Sequence, residues 1–304
     1  MLDIVTVGSA TLDVFLRSPQ FRIETKEEER LVLSGDKIEV EKALISVGGG
    51  GTNTGVGFAR LGFKTACVAR LGRDQVGSFV IRKLKKEPLN LRYLQVLKGE
   101  ETDFSIILLS PDGERIILVS RGKTRLDEKI FPFSVLKKTR FLYLASLEGN
   151  VSLLEKIIIQ AKQNNVEVIL NPGRRELAQR EKLTPLFSLV KMVVLNEEEA
   201  KAFWGEDYAA KARKEKPVVV VTQGKKGALW LEKEKVIKEP IVKTEVKDTT
   251  GAGDAFSVGL VAGIMWNLPP KKCLSLAMKE SASVVSHLGA KKGLLRKKEL
   301  LSYG

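Results

Sequence analysis

Six short runs of apolar, largely β-branched residues recur along the chain: Ile4–Val7, Thr65–Ala69, Phe141–Ala145, Val166–Leu170, Met192–Leu195 and Val218–Thr222. They are near-continuous rather than alternating, the pattern of strands covered on both faces in a parallel sheet. Between them, Gln75–Lys86, Val151–Asn164 and Glu197–Trp204 carry helical periodicity. Parallel strands need long crossovers, and helices supply them. The expected fold is therefore α/β, a three-layer and mostly parallel sheet with helices on both faces.

Two segments depart from this pattern. Arg30–Ser46 and Thr102–Ser120 alternate apolar and polar residues, as half-exposed antiparallel strands do. The second contains Ser110-Pro111-Asp112-Gly113-Glu114, a hairpin turn between Ile106–Leu109 and Ile116–Val119. With Val14–Arg17 they predict a small antiparallel β lid, built from about residues 13–47 and 100–121 of a single 304-residue domain. A sheet with one apolar face has to cover something: a ligand, a second copy of the chain, or both.

Composition narrows the function classes. No apolar run approaches the roughly 20 residues of a membrane-spanning helix, and the acidic start Met1-Leu2-Asp3 reads as a first strand rather than a secretion signal. Cys67 and Cys273 are isolated, which suits a reducing cytoplasm and offers neither a disulfide frame nor a zinc cluster. The net charge of +14 raises nucleic acid as a partner. Its lysines and arginines are dispersed among glutamates, however, and the densest clusters, Lys211–Lys216 and Lys291–Lys298, lack interleaved aromatics. They read as solvated surface, and no nucleic-acid partner is expected.

Chemistry concentrates in two glycine-rich stretches. Asp248-Thr249-Thr250-Gly251-Ala252-Gly253-Asp254 runs into the apolar stretch Val258–Trp266, a turn opening a helix. The first amides of a helix lack internal partners and lie at the positive end of its dipole, so a phosphate or developing anion sits well there. Asp254 adds a group that accepts a proton, which together with an anion hole suffices to move a phosphoryl group onto a hydroxyl. The second stretch, Gly48-Gly49-Gly50-Gly51-Thr52-Asn53-Thr54-Gly55, precedes a helix expected over Val56–Leu61. It lets the backbone pass against a ligand, and Asn53 offers both a donor and an acceptor. It is neither a Walker A loop nor a dinucleotide fingerprint.

Taken together, these stretches resemble the ribokinase-like carbohydrate kinases over essentially the whole chain. Gly8–Asp13 resembles the family's first strand ending in a substrate-binding aspartate. Gly48–Asn53 is similar to its first signature, Gly72-Arg73-Asp74-Gln75-Val76-Gly77 to its G-x-D-x-x-G turn, and Asn196-Glu197-Glu198-Glu199 to its N-x-x-E motif. Thr222–Gly227 is similar to T-x-G-x-x-G, and Asp248–Asp254 to the second signature. The resemblance implies Asp254 as general base and the amides of Gly251, Ala252 and Gly253 as the anion hole. Asn196 and Glu199 would organise Mg2+ through water, and Thr222, Gly224 and Gly227 would line the ATP pocket. Asp13, Gly49, Asn53 and Glu148 would hold the acceptor. Ser286–Ala290 resembles the segment that encloses a monovalent cation, K+, with Asp248 and Thr250. Arg174 and Arg175 depart from the family pattern, as does Gly293, where a polar residue is expected.

The implied activity is ATP-dependent phosphorylation of a primary hydroxyl on a small sugar, ribose first. A nucleoside kinase, with Phe15, Phe104 or Ile106 contacting the base, and another sugar or sugar-phosphate kinase are the alternatives, and a non-catalytic sensor is a remote one. A homodimer formed through the lid is expected.

Overall fold

The computed structural model describes residues 1–25, 29–32, 37–110, 115–122 and 125–302, and for 22–25 and 29–32 the backbone alone. The chain opens with β1 (Leu2–Val7), β2 (Thr11–Arg17), β3 (Arg22–Thr25), β4 (Glu29–Val32) and β5 (Lys42–Gly48). Then come α1 (Gly50–Arg60), β6 (Thr65–Val68), β7 (Arg70–Gly72), α2 (Gln75–Leu84), β8 (Gln95–Leu97), β9 (Phe104–Leu109) and β10 (Arg115–Ser120). The middle holds β11 (Thr139–Ala145), α3 (Val151–Gln163), β12 (Glu167–Asn171), α4 (Arg174–Leu177), α5 (Arg180–Phe187) and β13 (Met192–Asn196). The last third holds α6 (Glu197–Trp204), α7 (Tyr208–Ala212), β14 (Val218–Thr222), β15 (Ala228–Glu232), β16 (Lys235–Glu239), α8 (Ala252–Met265), α9 (Pro270–Val285) and α10 (Lys297–Leu301).

The main sheet has the order β16-β15-β14-β13-β12-β11-β1-β6. Pairing is parallel from β6 to β14, and β15 and β16 add an antiparallel edge. Alternate residues face opposite layers. Val5, Val7, Leu142, Leu144, Val168, Leu170, Val193 and Val219 pack under α3, α5, α6 and α7. Ile4, Phe141, Tyr143, Ile169, Val194 and Val220 pack against α1, α8 and α9. All six predicted strands belong to this sheet, which confirms the three-layer α/β reading. β1 connects toward β6 on one side, while β11 leads to β12 on the other. The crevice between their carboxyl ends is where open α/β sheets bind ligands.

A second sheet of order β10-β9-β2-β5 stands apart. Its β2–β9 pair is parallel, so the sheet expected to be purely antiparallel is mixed. Its inner face carries Phe15, Ile107, Leu109 and Leu44 against Leu288 of the main body. The hairpin turn expected at Ser110–Glu114 falls largely outside the described residues, since 111–114 are not described.

Two boundaries that position the site differ from the sequence expectation. The first strand ends at Val7, and Asp13 lies inside β2 of the small sheet rather than at the end of β1. Helix α1 begins at Gly50, six residues before the expected start, so the glycine cluster forms its first turns. Glycine is a poor helix former, but here close packing demands it. A Cβ on Gly51 would lie 2.9 Å from the Gly8 backbone, and one on Gly57 would lie 2.6 Å from Val258.

Candidate active site

Asp254 stands on the first turn of α8 and faces α1. Its Oδ2 accepts a hydrogen bond from Asn53 Nδ2 at 2.8 Å. Its Oδ1 faces Gly50, where a Cβ would come within 3.6 Å of that oxygen. Glycine there leaves the approach to the carboxylate clear. Burial raises the Asp254 pKa, opposed by the Asn53 hydrogen bond and by the charge of Lys291. This is the direction wanted in a base that must also release its proton.

The loop before Asp254 is held as an anion hole would need. Gly251 has φ 77°, and a Cβ there would lie 2.4 Å from the Ala290 Cβ, so no other residue fits. Asp248 is buried, and its carboxylate accepts from Thr250 N and Gly289 N, each at 2.9 Å, tying this loop to the turn after α9. The Ala252 amide donates to Thr249 O at 3.2 Å, so one of the three expected anion-hole donors is engaged within the turn. A Cβ on Gly253 would meet nothing within 4 Å, so the space over this helix end is open. Arg115 of β10 reaches across and hydrogen-bonds the Thr249 hydroxyl.

Asp13 enters from the small sheet. It is 7% exposed, and Thr11 Oγ1 donates to its Oδ1 at 3.2 Å. Burial raises its pKa, opposed by Lys291 and by hydrogen bonds from Thr11 and Ser105. Gly48 lies so close that a Cβ would sit 1.9 Å from Asp13 Oδ2. Beside these residues opens a groove of about 490 Å³, lined by Thr11, Ser105, Val119, Arg121, Ser146 and Glu148 among others. Glu148 sits in it at a left-handed φ of 58°, unusual for a residue with a side chain. It is ion-paired with Arg121, and with Arg125 at 3.5 Å.

Glu176, to which no sequence motif points, holds that conformation. It is fully buried, and its carboxylate accepts from Leu147 N at 2.7 Å, Gly149 N at 2.9 Å and the Ser146 hydroxyl. In the stretch Gly173-Arg174-Arg175-Glu176 the arginines stand out in sequence, whereas the buried carboxylate shapes the site. Arg174 pairs with Glu198 at the surface, and both arginines line the rim of the groove.

Along the same sheet edge, Asn196 and Glu199 cap α6 reciprocally. Asn196 Oδ1 accepts Glu199 N at 2.8 Å, and Glu199 Oε2 accepts Asn196 N at 2.9 Å. Burial pushes the Tyr143 hydroxyl pKa up, Asp254 and more weakly Glu199 add to the rise, and a hydrogen bond with Ser257 opposes it. Among the described residues no cluster of three His, Cys, Asp or Glu could hold a metal. The buried Thr250 Oγ1 has no hydrogen-bond partner among the described residues, which suits an oxygen ligand of a monovalent cation. Thr222 ends β14, and the space around Gly224 is open. Gly227 differs, because a Cβ there would strike Glu239 O at 2.0 Å, a demand of strand packing.

Two expectations fall away from the site. Phe15, offered as a base contact, is buried in the core of the small sheet. Phe104 and Ile106 lie on the face opposite Asp13, because their register partners are Leu12 and Val14.

The profile of the pfkB family carbohydrate kinases matches residues 1–297. The chain is 28% identical to the ribokinase of Haemophilus influenzae, covering 99% of this chain and 97% of that one. Its fold matches Arabidopsis thaliana ribokinase, solved with ribose and ATP, at a TM-score of 0.82 and 24% identity over 99% and 98% of the two chains. It also matches a Burkholderia thailandensis nucleoside kinase, solved with inosine, at 0.80 and 21% over 98% and 96%. On the family match over nearly its full length, the chain belongs to the pfkB family carbohydrate kinases and is an ATP-dependent phosphotransferase acting on a sugar or nucleoside.

Proposed function

We propose that the acceptor is a small sugar, ribose first, phosphorylated on its primary hydroxyl. The observation that carries this is that Asp13, packed against Gly48, and Asp254, bonded to Asn53 and facing Gly50, flank the same glycine run. One carboxylate, Asp13, accepts two vicinal hydroxyls, Asn53 and the Gly49 backbone add contacts, and Glu148 reaches the sugar from the groove. Asp254 Oδ1 takes the proton of the attacking hydroxyl, and the amides of Gly251 and Gly253 meet the charge on the transferring phosphoryl group, Ala252 being held in the turn. A nucleoside is less favoured. Phe104 and Ile106 point to the far face of the small sheet, and on the near face Phe15 is buried in the sheet's own core, so among the described residues of this sheet no aromatic ring is free to stack on a base.

Bound Mg2+ supplies positive charge at the phosphates, and Asn196 and Glu199 would hold its water shell. Thr222, Gly224 and Gly227 line the nucleotide side, with Gly227 acting through the strand geometry it permits. Asp248 and Thr250 would hold K+, on the strength of the unpartnered Thr250 hydroxyl. The small sheet serves as lid and excludes water on closing. Its outer face carries the row Ile45, Val14, Ile106 and Leu118, apolar across all four strands, which supports a homodimer formed through the lid. Two buried free cysteines support a cytoplasmic location. No described helix is long and apolar enough to cross a membrane.

The test is ADP release from Mg-ATP with ribose, deoxyribose, fructose, fructose phosphate, adenosine, cytidine and inosine, with and without K+. Turnover with ribose well above the nucleosides is expected. A nucleoside preferred over every sugar would overturn the acceptor reading while leaving the kinase assignment intact.

A further inference from the structure

A buried cation lies behind the catalytic aspartate. Lys291 belongs to a run of basic residues that reads as surface, yet it is 8% exposed. Its ammonium donates to Val47 O at 2.7 Å, to Thr52 Oγ1 at 3.1 Å and to Asn53 Oδ1. An ammonium has three donors and no acceptor, so none of its protons is left for a ligand. Its backbone is fixed as well: Arg60 Nη1 donates to Lys291 O at 2.6 Å, and Arg60 is itself ion-paired with Glu87.

The consequence runs through Asn53. An amide has one acceptor end and one donor end. With Lys291 donating to the oxygen, the NH2 has to face Asp254, where it meets Oδ2 at 2.8 Å. Turning the amide over would set NH2 against ammonium and oxygen against carboxylate, both repulsive. We propose that Lys291 is a positioning residue, which orients the Asn53 amide so that it pins one oxygen of Asp254 and leaves the other facing the acceptor.

The surrounding charge agrees. Burial pushes the pKa of the ammonium down to about 8, against the opposing pull first of Asp13 and Asp254 and then of Cys67 and Glu87. The lysine also bridges the end of the lid strand β5 to α1, so the orientation it imposes depends on β5 being in place.

The inference rests on Asp254 acting as base, so Asp254→Asn is measured beside the others with the acceptor that the substrate panel identifies. If Asp254→Asn retains turnover, the base assignment fails. With that variant inactive, Lys291→Met, Asn53→Ala and the double variant form a cycle. Lys291→Met is expected to lower kcat at least about tenfold with little change in the KM for ATP. It should also move the acid limb of the kcat/KM profile to higher pH, because Asp254 loses a nearby cation. The double variant should be no slower than Asn53→Ala alone, since the lysine acts through that amide. Multiplicative losses in the double variant, or an acid limb that stays in place, would overturn the proposal. If Lys291→Met is insoluble, Lys291→Gln takes its place in the same comparison with the same outcomes.

Discussion

The proton-accepting role proposed for Asp254 makes two demands that pull against each other. The carboxylate has to be basic enough to take a hydroxyl proton and still be ionised at working pH. Burial raises its pKa above the ordinary 3.8, while Asn53 and Lys291 hold the rise in check. The ionised form is active, so kcat/KM falls as pH drops through the raised pKa, and the acid limb lies above the range of a free aspartate, about 3.9. Asp254→Asn removes the acceptor while keeping the shape. Its kcat should drop by about 10²–10⁴-fold, with ATP affinity by calorimetry within a few-fold of the parent. Near-parental turnover, or an acid limb at the ordinary aspartate value, would remove Asp254 from this role. Among the residues around it, Asn53 is legible in the sequence because an amide after a glycine run has few other uses. Lys291 is not, since a lysine inside a basic run looks solvated and its burial comes from the fold of the turn after α9. Glu176 is hidden likewise, since its partners are backbone amides of a loop some 30 residues away in sequence.

At the scale of elements, legibility follows burial. β1, β6 and β11 to β14 are covered on both faces and so read as unbroken apolar runs. β16, Lys235-Val236-Ile237-Lys238-Glu239, lies at the sheet edge with charged residues exposed, and gives no such signal. The start of α1 is hidden because glycine propensity argues against a helix, and only the close approach of β1 and α8 outweighs that propensity. Helix α9 holds a feature no periodicity shows, a buried Glu280. It accepts from Leu295 N at 3.0 Å, and its second oxygen has no hydrogen-bond partner among the described residues. Burial pushes its pKa up to about 8 from 4.5. Between those values the folded state binds the proton that the unfolded chain has released, so this group's contribution to stability declines as pH rises from 4.5 to about 8. Glu280→Gln mimics the protonated form. Calorimetry at pH 5 and pH 8 should show the parent losing more of its Tm than the variant, and the variant melting higher at pH 8. Parallel slopes would mean that Glu280 is not protonated in the native state.

The whole molecule is a sheet with its crevice at the β1/β11 switch point and a second sheet reaching over it. Sequence alone indicates both sheets, but the parallel β2–β9 pair is not legible, because β2 and β9 lie more than 80 residues apart and only topology brings them together. That pairing settles which residues face where. Asp13, Ser105 and Val119 turn toward the crevice, while Ile45, Val14, Ile106 and Leu118 form a row on the opposite face. Ile45 and Leu118, at the two ends of that row, are 49% and 50% exposed, a large apolar exposure for one face of a small sheet. A two-fold axis through such a face buries each residue twice, so one charge introduced there is felt twice. The parent chain should therefore sediment as a dimer, and Leu118→Lys should shift it to monomer at micromolar concentration with Tm lowered only by the lost interface. Because β10 carries Arg115, and Arg121 follows directly on its end, the monomer should bind the acceptor more weakly while its affinity for ATP stays close to parental. A parent that sediments as monomer, or a variant that stays dimeric, would mean that this face meets something other than its own copy.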